Sequence, residues 1–241
     1  MNIALIFAGG TGQRMNTKTK PKQFLELHGK PIIVHTIDHF ENHPMIDAIA
    51  IACLKDWIPQ LKSILKKYHI KKVRWIVPGG ETSQMSVKNG LHILSEDPSV
   101  PDDSIVLIHD GVRPLIDEDT ISQNITCALR YGNAVTVVPA TETIINVTEK
   151  EEIANILDRN RCMMARAPQT FRLADILSAH RKAEAEGLTD MIDSAMLMSH
   201  YGTTLHIVEG PFENIKITTP PDYYVFRAFY EAKENSQIWG L

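Results

Sequence analysis

Five short apolar runs recur through the first 139 residues, and the stretches between them carry their apolar residues three or four apart. The runs lie at residues 2–8, 46–53, 73–77, 104–109 and 134–139. Between them, residues 31–42, 56–68, 83–95 and 117–130 have helical spacing. In the second stretch Ile58, Leu61, Ile64 and Leu65 share one face. Pro31 suits the first turn of its helix, and Asp117 suits a helix cap. A β-α-β-α rhythm of this kind predicts an α/β fold, a mostly parallel twisted Rossmann-like sheet with helices on both faces. Such sheets bind ligands beyond the carboxyl ends of their strands. The loops at 9–22, 78–86 and 109–114 are therefore expected to gather there.

The rhythm changes after residue 139. Thr141 to Val147 alternates, a polar turn follows at Glu149 to Glu152, and Ile153 to Leu157 is apolar again. Residues 140–166 read as a protruding β-arm on a single domain spanning 1–241. Helices are expected at about 173–186, 191–201 and 220–233, and a strand at 204–208. The chain carries 25 basic and 29 acidic side chains, a net charge of −4. This balance argues against a nucleic-acid or anionic-membrane coat, so any phosphate site must come from a few focused cations and backbone amides. No apolar stretch reaches the ~18 residues of a membrane span. Cys53, Cys127 and Cys162 are odd in number and far apart, without zinc or CxxC spacing. The apolar start lacks a basic leader and reads as a buried strand, so the cytoplasm is the expected compartment.

The first run ends in Ala8-Gly9-Gly10-Thr11-Gly12-Gln13-Arg14-Met15, followed by Pro21-Lys22-Gln23-Phe24. Glycines directly after a strand let backbone amides approach a ligand and cradle phosphate. No Gly-Lys-Ser/Thr closes the loop, so it is not a Walker motif. Met15 stands where the third glycine of a dinucleotide fingerprint would be, which disfavours a nicotinamide oxidoreductase. Glycine-rich backbone with the cations Arg14 and Lys22 suits a triphosphate that is gripped and split.

This run resembles the sugar-nucleotide pyrophosphorylase superfamily and, more narrowly, the cytidylyltransferases acting on 2-C-methylerythritol 4-phosphate or ribitol 5-phosphate. The likeness continues through Pro78-Gly79-Gly80 with Ser86, His109-Asp110-Gly111-Val112-Arg113-Pro114, Asp158-Arg159-Asn160, Ala167-Pro168-Gln169-Thr170-Phe171, and Val208-Glu209-Gly210 with Asn214 to Thr218. It implies a single nucleotidyltransferase domain that joins CMP from CTP to a polyol phosphate and releases pyrophosphate. By that likeness Arg14, Lys22 and Lys216 are catalytic. Ala8, Gly9, Gly10, Thr11, Gly12, Gly79, Gly80, Ser86, Asp110 and Gly111 bind the nucleotide. Asp110, Arg113, Thr143, Arg159, Thr189 and Lys216 bind the acceptor. Magnesium is the implied cofactor, with Asp110 a candidate ligand. The arm implies a homodimer in which Thr143 and Arg159 reach the neighbour's acceptor phosphate. His109 reads as structural. Lys216 is expected in a short strand, Ile215-Lys216-Ile217.

Three departures from the family pattern stand out. Ser83 replaces a usual arginine, Ala167 replaces a usual threonine, and the stretch to Gly202 is longer, so that Ile192-Asp193 competes with Thr189-Asp190 for the acceptor position. The AGGTGxRM loop, Pro21-Lys22-Gln23-Phe24 and Lys55-Asp56-Trp57-Ile58 lean toward ribitol 5-phosphate, with methylerythritol 4-phosphate as the alternative.

Overall fold

The computed structural model describes residues 1–10 and 20–239, with side chains to residue 235. Strand β1 (Asn2–Ala8) leads past the short hairpin β2 (Glu26–Leu27) and β3 (Lys30–Pro31) into α1 (Ile32–Glu41). Then follow β4 (Ala48–Cys53), α2 (Ile58–Lys67), β5 (Val73–Pro78), α3 (Ser83–Glu96), β6 (Ile105–Asp110), α4 (Glu118–Tyr131) and β7 (Asn133–Pro139). The arm carries β8 (Ile145–Val147) and β9 (Ile153–Ile156). Beyond it come β10 (Met163–Arg172), α5 (Leu173–Ala185), α6 (Ser194–His200), β11 (Ile207–Glu209) and α7 (Pro220–Trp239).

Seven strands form the main sheet in the order β11-β7-β10-β6-β1-β4-β5. All neighbours are parallel except β10, which runs antiparallel between β6 and β7. Alternation along β1 separates the two faces. Ala4, Ile6 and Ala8 pack with Ile33, Ile37 and Phe40 of α1, Leu61 of α2 and Ile125 of α4. Ile3 and Leu5 pack with Leu91 of α3, Ile176 of α5 and Leu197 of α6. The chain leaves β1 toward β4 on one side and returns to β6 on the other. The carboxyl end of β1 is thus a topological switch point, where an open sheet leaves a crevice.

The side chains of Thr82, Asp117 and Asp193 accept from the first-turn amides of α3, α4 and α6. Gly132, at φ +85°, closes α4 in the left-handed region. The capping by Asp193 starts α6 at Ser194, later than the expected 191. β11 is likewise displaced to Ile207–Glu209, and α7 runs beyond 233 to Trp239. The sequence reading missed β10 altogether. Arg166 and Pro168 interrupt its apolar pattern, and its register against β7 shifts between Ala165 and Gln169. The expected strand around Lys216 is absent. Residues 214–218 are coil, joined to the strand ends by one backbone bond, from the Ile217 amide to the Val112 carbonyl, and otherwise held by side-chain bonds.

Candidate active site

Two adjoining hollows open at the carboxyl edge of the sheet, and both are lined by Phe7, Ser83, Asp110 and Lys216. The larger, about 400 Å³, is also lined by Ala8, Gly9, Gly10, Lys22, Gly80 and Ser86. One part of its wall, at the glycines, is backbone brought close together. A Cβ on Gly9 would lie 2.7 Å from Ser86 Oγ, and one on Gly80 would lie 2.3 Å from Met85 Cβ. Gly79 stands just behind, its amide on the Cys53 carbonyl at 2.7 Å. Gly111 is off this wall and tethers the strand ends through its amide on the Phe7 carbonyl. Ser86 Oγ donates to the Thr82 carbonyl and accepts from the Gly80 amide, both at 3.0 Å. Its hydroxyl shapes the loop. Gln23 is 1 % exposed, and its Nε2 donates to the carbonyls of Ala8 (2.7 Å) and Gly10 (3.3 Å). Thr11, Gly12 and Arg14 lie outside the described residues.

Asp110 ends β6 between the hollows. Its Oδ2 accepts from Arg113 Nε at 2.7 Å, and its Oδ1 meets Lys216 Nζ at 2.5 Å. Burial alone would raise this carboxyl. The charges of Arg113 and Lys216, with their hydrogen bonds, outweigh burial and hold it well below the usual carboxylate range. Arg113 Nη1 also donates to the Asn214 carbonyl at 2.9 Å. Asn214 in turn donates to the Ala167 carbonyl at 2.6 Å, which fixes the coil carrying Lys216. His109 is buried against Phe40, near the Arg113 carbonyl. Desolvation pushes its imidazole down to about 3, so it is neutral and structural.

The smaller hollow, about 210 Å³, is lined by side chains that include Arg113 after β6, Arg166 and Gln169 of β10, His180 of α5, and Ile192 and Asp193 just before α6. Gln169 Nε2 donates to Asp193 Oδ2 at 2.9 Å, and its Oε1 accepts from the Ala195 amide at 2.8 Å. His180 is 2 % exposed, and neither ring nitrogen has a hydrogen-bond partner. Desolvation lowers it to about 4. Of the two candidates for the acceptor position, Ile192-Asp193 lines this hollow. Thr189 does not. It is exposed, and its carbonyl accepts from Thr82 Oγ1 at 2.7 Å. Thr143 and Arg159 also lie away from both hollows of their own chain, with Arg159 Nη1 on the Thr141 carbonyl.

Among the described residues, no group of three or more His, Cys, Asp or Glu side chains could hold a metal ion. Both Asp110 oxygens serve cations, so the site does not provide a ready protein cage for magnesium. Its donor set fits only a hard cation that arrives with most of its ligands on phosphate and water. Gln23, Arg166 and His180 had no assigned part in the sequence reading. Gln23 sits within Pro21-Lys22-Gln23-Phe24, and Arg166 directly precedes Ala167-Pro168-Gln169. Without β10 as a strand, nothing put Arg166 at the sheet edge.

A sequence profile of the family described as "IspD: 2-C-methyl-D-erythritol 4-phosphate cytidylyltransferase" matches residues 2–231. The chain is 53 % identical over 241 residues to a protein of Streptococcus agalactiae serotype III (strain NEM316) named ribitol-5-phosphate cytidylyltransferase, covering all of both chains. It is 46 % identical over 240 residues to a protein of the same name from Vibrio parahaemolyticus serotype O3:K6, again over the whole of both. The crystal structure titled 4-diphosphocytidyl-2C-methyl-D-erythritolsynthase from Anaerococcus prevotii superposes with a TM-score of 0.81 at 25 % identity, over 95 % of this chain and 96 % of that one.

Proposed function

Because this chain belongs to the 2-C-methyl-D-erythritol 4-phosphate cytidylyltransferase family, we propose that it transfers the cytidylyl group of CTP to D-ribitol 5-phosphate, giving CDP-ribitol and pyrophosphate. It is a nucleotidyltransferase; the acceptor is our reading, supported by its full-length likeness to proteins named for ribitol 5-phosphate. The observation that carries the transfer chemistry is the Asp110–Lys216 pair where two hollows meet. In this reading the glycine-walled hollow takes CTP and the side-chain-walled hollow takes the acceptor.

The acceptor's phosphate oxygen is already ionised at neutral pH, so it needs no general base. It attacks the α-phosphorus in line. A new P–O bond forms as the bond to pyrophosphate breaks, and the electron pair leaves with pyrophosphate. Catalysis is then positioning and charge stabilisation. Lys216 lines both hollows and supports charge at the junction, and Lys22 lines the nucleotide side. Arg14 is assigned to the same phosphates from its family motif. Asp110 and Arg113 orient Lys216 and the acceptor. Magnesium, bound largely through the nucleotide, would neutralise phosphate charge.

The enzyme is further proposed to act in the cytoplasm as a homodimer. Among the described residues no helix is long and apolar enough to cross a membrane. Ile145, Val147, Ile153 and Ile156 are exposed on a two-stranded arm, which is marginal alone and gains from a second copy covering it. The arm would bring Thr143 and Arg159 to the other copy's acceptor. Sedimentation tests the dimer, and a monomer at assay concentration removes it. Pyrophosphate release from CTP and magnesium, with ribitol 5-phosphate and methylerythritol 4-phosphate supplied separately, tests the acceptor. Release with the first alone is expected, and release with the second alone would replace it.

A further inference from the structure

The polar side chains of the smaller hollow are mostly committed to one another. Arg113 is held by Asp110 and the Asn214 carbonyl, and Lys216 by Asp110. Asp193 accepts from Gln169 and from the Met196 amide. Arg166 differs. It is half-buried in the same wall, and its Nε is sealed from solvent with no hydrogen-bond partner. Among the described residues its guanidinium makes no ion pair, although two carboxylates line the hollow with it.

A guanidinium cannot shed its proton to relieve this situation, so the charge persists. Desolvation and the neighbouring Arg113 both act against it. A half-buried guanidinium with its Nε sealed and unpartnered carries a desolvation cost, and the hollow's own acids are taken. What remains is an anion from outside. The two Nη nitrogens, which unlike Nε are not sealed, form a planar fork beside a second arginine and match a phosphate monoester better than a hydroxyl, since they offer parallel charge-assisted donors. Arg166 lines only the smaller hollow, which at about 210 Å³ suits the acceptor and not a nucleoside triphosphate.

We propose that Arg166 clamps the acceptor's phosphate from within the same chain and sets the enzyme's affinity for phosphorylated over free polyol. This rests on the polyol-phosphate reading above. At saturating CTP, Arg166→Gln is expected to raise the KM for ribitol 5-phosphate about tenfold to hundredfold, the range for losing a hydrogen bond to a charged group. The KM for CTP should hold, and Arg166→Lys should recover part of the loss. An unchanged acceptor KM, or an equal rise for both substrates, overturns the assignment. A second readout does not depend on turnover: thermal melting of each protein, without nucleotide, against inorganic phosphate and against free ribitol. Phosphate should stabilise the wild type at lower concentration than Arg166→Gln, while ribitol should not distinguish them. Identical phosphate titrations sink the proposal. If no polyol phosphate is turned over, the proposed function fails by itself, and the melting comparison still decides on Arg166.

Discussion

The two hollows beside Asp110 are built from different materials. The hollow proposed for the nucleotide is closed on one side by backbone, with glycines at 9, 79 and 80 packed so closely that a Cβ at any of them would meet Ser86 Oγ or Met85 at 3.0 Å or less. The hollow proposed for the acceptor is lined by side chains from β1, β6, β10, α3, α5 and α6 and the residues just before α6, distant in sequence. Each is steadied by one buried glutamine, Gln23 holding the carbonyls of the glycine loop and Gln169 holding the start of α6. Backbone can only be shaped by what surrounds it, and it offers the same amides whichever side chains surround it. A wall of side chains can be retuned one residue at a time. The difference predicts that nucleotide choice is rigid in this architecture and acceptor choice is adjustable.

The largest effect should come where the comparison collapses, at the lysine both hollows share. Lys216→Ala removes a cation from the junction and is expected to lower kcat by about 10²–10³, as for other single electrostatic stabilisers. Steady-state kinetics with both substrates checks this. Near-normal kcat would mean the hollows do not meet at the reacting phosphates. Next, Gly80→Ala attacks only the backbone wall. Its Cβ would fall 2.3 Å from Met85 Cβ and 3.0 Å from the Met85 carbonyl carbon, so the first turn of α3 must move. A cost of about 1–3 kcal/mol is expected. It should be read as a lower melting temperature and a raised KM for CTP, with little change in the acceptor's.

The glutamines give a matched pair. Each makes two hydrogen bonds worth about 1 kcal/mol apiece, so each loss should weaken one substrate by about an order of magnitude. Gln23→Leu should raise the KM for CTP, and Gln169→Leu the KM for the acceptor. If both variants raise both constants alike, the hollows are not separable and the comparison fails.

How much of this was legible follows the same division. Ile3 and Leu5 against Ala4 and Ile6 announce a strand covered on both faces, and the glycines after Ala8 announce a close approach to phosphate. Both signals are local. The acceptor wall is not local. Arg166 and Pro168 hid β10, so the residues that β10 carries to the sheet edge could not be located. Thr189-Asp190 carries the motif likeness in sequence, with Ile192-Asp193 as the alternative. Only the capping of α6 by Asp193 puts the second pair in the wall. Gln23 and Gln169 are buried, yet a glutamine in sequence looks like surface until the carbonyls it serves are located. Lys216 was singled out by motif, but the strand expected to carry it is absent. Asn214 and the Val112 carbonyl hold it instead.

The smallest predicted effect concerns protons. His35 and His180 are lowered to about 4 and His109 to about 3, each chiefly by burial, against an ordinary 6.5. A depressed folded value means that the unfolded chain takes up the proton first. The stabilisation is therefore complete above pH 6.5 and is lost as pH falls toward 4 and 3. At pH 5.5 each imidazole accounts for about 1 kcal/mol. Asp110, depressed by its cations, adds its own loss only at lower pH, below the ordinary carboxylate range. Of these histidines only His180 lines the acceptor hollow, and none lines the nucleotide hollow. Its nitrogens have no partners to lose, so His180→Leu should fold at pH 7.5. The fall in melting temperature between pH 7.5 and 5.5 should shrink measurably relative to wild type, because His180 is one of four imidazoles, His39 among them, that burial lowers. An undiminished fall would mean that His180 is protonated in the folded protein, and the acceptor wall would then carry a positive charge that the geometry of Arg166 and Arg113 leaves no room to balance.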